Sequence, residues 1–124
     1  FLMGSAITER CLEALLARHG QCALLANVLT RTSRMLVAAQ SGDWALVTAM
    51  ENKRSQLIKQ CFSSPVSEEN SALFSEALAI MLHMNEELVA LLEAAKANAA
   101  VRHKGDRGAH EAIGHYLDAK TGYL

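Results

Sequence analysis

His110-Glu111-Ala112-Ile113-Gly114-His115 is the stretch whose residue types most suggest chemistry. A zinc-protease helix places its second His four positions after the first, so that both imidazoles share a face. Gly114 occupies that position here, and His115 lies one step further round. The two side chains therefore read as polar residues on a short helix. Di-metal bundles need repeated Glu-x-x-His pairs on inward faces, and the sequence has none in that order. No metal and no other cofactor is expected.

The remaining candidates for catalysis are as weak. His83 sits inside a long helical stretch, the setting in which phosphotransfer histidines are found. Its neighbours Leu82 and Met84-Asn85 lack the Lys-Gly that follows a phosphorylated His in such domains. Phosphotransfer through His83 stands as an alternative to the main reading. Gly105-Asp106-Arg107-Gly108 has no Gly-Lys-Ser/Thr and follows no strand, which excludes a phosphate loop. No Ser/His/Asp or Cys/His constellation is present, so the chain is not expected to be an enzyme. Cys11, Cys22 and Cys61 are odd in number and form no CxxC pair. They read as small apolar core residues and point to a reducing, cytoplasmic compartment.

With 12 basic and 13 acidic residues the formal net charge is −1, too balanced to create a field for nucleic acid. The four cations between Arg102 and Arg107 read as a solvated linker, and no direct contact with nucleic acid is expected. Charges interrupt every apolar run before the ~18 residues of a membrane span.

The elements that carry these residues are helical. Hydrophobic residues make up 51% of the 124-residue chain and aromatics 5%, a mix that favours helix packed on helix. The dominant stretch runs from Ser67 to about Val101. Phe74, Leu78, Met81, Leu88, Leu92, Ala95 and Ala99 follow one another at helical spacing, with no Gly or Pro between them. Asn85 falls between Met81 and Leu88, where it either fixes register through a buried hydrogen bond or turns outwards. Upstream, Cys11, Leu15, Cys22, Leu25, Leu29, Leu36 and Ala39 form a second stripe, expected to be one helix over 6–41 with a kink at Gly20, the other reading being a left-handed cap there that ends a short first helix. Ser41-Gly42-Asp43 breaks the chain, Gly42 as a stop and Asp43 as the next N-cap. The second helix, 44–61, is expected to turn Val47, Met50, Leu57, Ile58 and Cys61 inwards and Glu51, Asn52, Lys53 and Lys59 to water. Ser67 is expected to cap a third helix over 67–102, with Glu68 and Glu69 in its first turn. A Gly-rich joint leads to a short last helix over 108–119.

The fold class is thus all-α: one antiparallel bundle of three main helices plus a short C-terminal helix. Trp44 is a candidate interface anchor, although packing beside the cap to close the hairpin is favoured. The short helix buries little and can cover a groove or leave it for a partner. A bundle that only self-associates, as a homodimer, is the architectural alternative.

Ala38-Ala39-Gln40-Ser41-Gly42-Asp43-Trp44, continuing through Val47, Met50, Glu51, Lys53-Arg54 and Leu57-Ile58, resembles the FliT-type flagellar export chaperones. Leu82-His83-Met84-Asn85-Glu86-Glu87-Leu88 is similar to that family's Asn-Glu-Glu-Leu-type segment, and Tyr116 resembles the tyrosine of its last helix. The resemblance covers roughly Leu24 to Leu117. It implies a cytoplasmic chaperone that holds the C-terminal segment of the filament-cap protein before type III export. It also implies contacts with the export ATPase complex and the export gate, and in some members binding and repression of the flagellar master transcription regulator. Stripe geometry and resemblance together nominate Met50, Leu57, Met81, Leu88 and Leu92 as cargo surface, with Ile113 and Tyr116 of the last helix as its mask.

Overall fold

The computed structural model describes residues 2–102, and the side chains of 6–99. Four α-helices follow in order: α1 (Leu2–Leu16), α2 (Gln21–Gln40), α3 (Trp44–Cys61) and α4 (Ser71–Arg102). There is no strand among the described residues. The molecule is an all-α bundle. The helix expected over 108–119, with Ile113 and Tyr116, lies outside the described residues.

Gly20 ends the first helical stretch instead of kinking it. Its φ of 68° and ψ of −121° belong to a region that favours glycine. The last turn of α1 closes with Ala17 N–H donating to Glu13 O and Arg18 N–H to Leu15 O. Four residues later α2 begins, so the continuous helix over 6–41 becomes an antiparallel pair. The stripe survives the break, because Cys11 and Leu15 of α1 and Cys22, Leu25, Leu29, Leu36 and Ala39 of α2 are all buried.

The α2–α3 junction is a Schellman turn. Gly42 has φ 77°, Gly42 N–H donates to Ala39 O at 3.0 Å and Asp43 N–H to Ala38 O at 2.9 Å. Asp43 then caps α3, its Oδ1 accepting from Leu46 N–H at 3.2 Å. At the opposite end, the Gln21 carboxamide donates to Cys61 O and Ser64 O, both at 2.8 Å. The hairpin is therefore tied at its turn and at its open end.

A 3-10 turn, Glu68–Asn70, leads into α4. The Ser67 hydroxyl makes no capping bond; its carbonyl accepts from Asn70 N–H at 3.1 Å instead. The tighter turn delays the α-helix to Ser71, which corrects the start expected at Ser67. Arg18 reaches this turn, bonding Glu69 O at 3.4 Å and Asn70 Oδ1. The 32 residues of α4 make a rod of about 48 Å. α2 is the axis of the bundle: α1, α3 and α4 all pack on it, and α1 also lies along α4.

Candidate partner-binding face

α3 and α4 lean on α2 more than on each other, and the residues nominated as cargo surface belong to these two helices. Trp44, Leu57, Leu88 and Leu92 are buried members of the core, while Met50 and Met81 are partly buried and packed against it. Trp44, at 4% exposure, sits directly after the cap and closes the hairpin. Ile113 and Tyr116 lie outside the described residues.

Between the two helices lies a polar crossing that breaks the apolar pattern. Arg54 Nη2 approaches Glu51 Oε2 at 2.6 Å, with the two side chains 2% and 0% exposed. The contact is ionic, without hydrogen-bond alignment, and Glu51 Oε1 meets no hydrogen-bond donor. Arg54 Nη1 donates to Thr32 Oγ1 of α2 at 3.0 Å and to Asn85 Oδ1 of α4 at 2.8 Å. Thr32 in turn donates to Val28 O at 2.8 Å within its own helix. Three helices thus meet on one guanidinium, whose planar array of donors suits such a junction.

This crossing overturns the expectation that Glu51 faces water. Trp44, Val47, Glu51, Arg54, Ile58 and Cys61 succeed one another at steps of three and four, so Glu51 and Arg54 fall on the inward stripe. The signal was the spacing. Charge argued for solvent, and the mutual pairing of the two side chains outweighed it. Asn85, which the sequence left between two roles, takes the inward one by accepting from Arg54. Toward the other end of the hairpin, Phe62 and Phe74 meet edge to face, with ring centroids 6.0 Å apart.

Of the sites considered for catalysis, His110–His115 and Gly105–Gly108 lie outside the described residues. His83 is 72% exposed, its Nε2 3.5 Å from Glu87 Oε1 one turn on. Among the described residues no three His, Cys, Asp or Glu side chains gather as a metal site would require. Cys11, Cys22 and Cys61 are buried and unbridged. Burial, then the charge of Glu76, raises the Cys11 thiol above its ordinary value. Burial, then Cys22, pushes Cys61 up to about 11. Neither thiol is a nucleophile at neutral pH. No described helix is long and apolar enough to cross a membrane.

A family model described as flagellar protein FliT matches residues 22–112, from the start of α2 to beyond α4. The chain belongs to the FliT family. FliT proteins are a family of flagellar chaperones, and the match takes in α2, α3, α4 and the whole polar crossing. α1 precedes the match; Ile113 and Tyr116 follow it. No curated protein and no solved structure matches the chain.

Proposed function

We propose that this chain is a cytoplasmic type III export chaperone that binds the C-terminal segment of the flagellar filament-cap protein. The FliT match over 22–112 carries the reading. The arrangement of α3 and α4 supports it: both are braced on α2 more than on each other, so a partner helix can lie along their outer flank while α2 holds both in place. Met50 and Met81, only partly buried, make the first apolar contacts, with the buried Trp44, Leu57, Leu88 and Leu92 as the floor beneath them, and the C-terminal segment, through Ile113 and Tyr116, masks this face until cargo arrives. The masked face also controls contacts with the export ATPase complex, the export gate and the flagellar master transcription regulator, whose activity the chaperone represses. Self-association as a homodimer is the alternative to masking, and light scattering on the full chain distinguishes the two.

Titration calorimetry with the cap protein's C-terminal segment tests the reading. Affinity in the ~1 μM range or tighter is expected for the full chain, and removal of residues 105–124 should strengthen it. Unchanged or weaker binding by the shortened chain rejects the mask. Absence of binding by either form rejects the cargo.

A further inference from the structure

The polar crossing calls for an explanation that stability does not give. A buried ion pair is on average no more stabilising than apolar side chains of similar volume, and often less. Here the pair also leaves Glu51 Oε1 without a hydrogen-bond donor, which adds a cost.

Register supplies the explanation. The inward face of α4 is apolar at Phe74, Ala77, Met84, Leu88, Leu92 and Ala99. A stripe of that kind can slide along its neighbours by one turn, about 5.4 Å, and still bury comparable area. Sliding would carry Asn85 away from Arg54 and set Met81 or Val89 opposite the guanidinium. A buried donor would then face hydrocarbon, a cost that the native register does not carry. α3 and α4 pack weakly on each other, so the Arg54–Asn85 bond is well placed to choose between registers.

We propose that Arg54 is the positioning residue of the partner face. It fixes α4 against α3, and thereby sets Met50 and Leu57 opposite Met81 and Leu88 before any partner arrives. Arg54 does not touch the partner; it acts through the placement of α4. The effect on affinity rests on the export-chaperone reading, while the effect on register does not.

The test replaces the crossing by hydrocarbon in Glu51→Leu/Arg54→Met/Asn85→Leu. Thr32 keeps its bond to Val28 O, so no buried hydroxyl is orphaned. Spin labels attached through ketone-bearing unnatural residues at the exposed positions Lys53 and Glu86 leave the three native thiols untouched. The native chain should give one narrow interlabel distance. The triple variant should fold with an unchanged or higher Tm and give a broadened or two-component distribution. Its affinity for the cap-protein segment should fall by about tenfold, the loss expected when a preformed surface must be selected from several. Asn85→Leu alone retains the Glu51–Arg54 pair and decides the matter should the triple variant not fold: it too should broaden the distribution. A narrow, native distance in the folded variants overturns the proposal. Broadening in a protein whose native form binds no cap segment leaves the register role standing and removes the cargo reading.

Discussion

The buried carboxylate of Glu51 lies against the guanidinium of Arg54. Arg54→Met alone should cost roughly 3–5 kcal/mol, because it leaves a carboxylate buried without its cation; a shift of the urea midpoint measures it. Cys61 responds to pH in a defined direction. In the folded chain its thiol titrates near 11, against an ordinary value of 9.0. The folded form therefore keeps a proton that the unfolded chain releases. This contribution is complete below pH 9.0 and is lost as pH climbs through about 11. The difference in urea midpoint between the native chain and Cys61→Val should be constant below pH 9.0 and change only above it. A midpoint difference that does not vary up to pH 11 would contradict the shift. Thiol reagents at pH 8 should modify Cys11, Cys22 and Cys61 only as fast as the bundle opens.

At the scale of elements, the ends of the helices obey local rules that act one at a time. Asp43→Ala removes the Leu46 N–H bond and should cost about 1 kcal/mol in thermal unfolding. Gly20→Ala meets open space, with nothing within 4 Å of an added Cβ. Its penalty is thus purely that of the backbone, about 1–3 kcal/mol. If Gly20→Ala leaves Tm unchanged, the α1–α2 corner does not require the positive φ. The same rules explain what could be read from the sequence. Gly42-Asp43 announced its turn because Gly and Asp each do one thing there, and the stripe from Cys11 to Ala39 showed which faces are inward. Gly20 was ambiguous because one interior glycine costs a helix little. The corner is accompanied by tertiary bonds that sequence spacing does not reveal, such as those from Arg18 to Glu69 and Asn70. Glu51 was misjudged for a related reason. Its inward position was visible in the spacing, but its partner Arg54 is held there by Thr32 and Asn85, which come together only when three helices meet.

For the whole molecule, α2 touches every other described helix, whereas α1 is bound from one side by α2 and α4. Amide hydrogen exchange should therefore be slowest in α2 and fastest in α1, since protection follows the packing that must be undone. Equal protection of α1 and α2 would mean that the bundle opens only as one unit. The clasp of Gln21 on Cys61 and Ser64 has a consequence for synthesis. Residues 21–64 form a closed loop of local pairings, the kind that assembles quickly, and they leave the ribosome before α4 does. In that interval the guanidinium of Arg54 and the carboxylate of Glu51 lie on the flank that Asn85 has yet to reach. A variant with Glu51 and Arg54 replaced by apolar residues would expose a fully apolar flank over that interval, and its refolding yield should fall more steeply with protein concentration than that of the native chain.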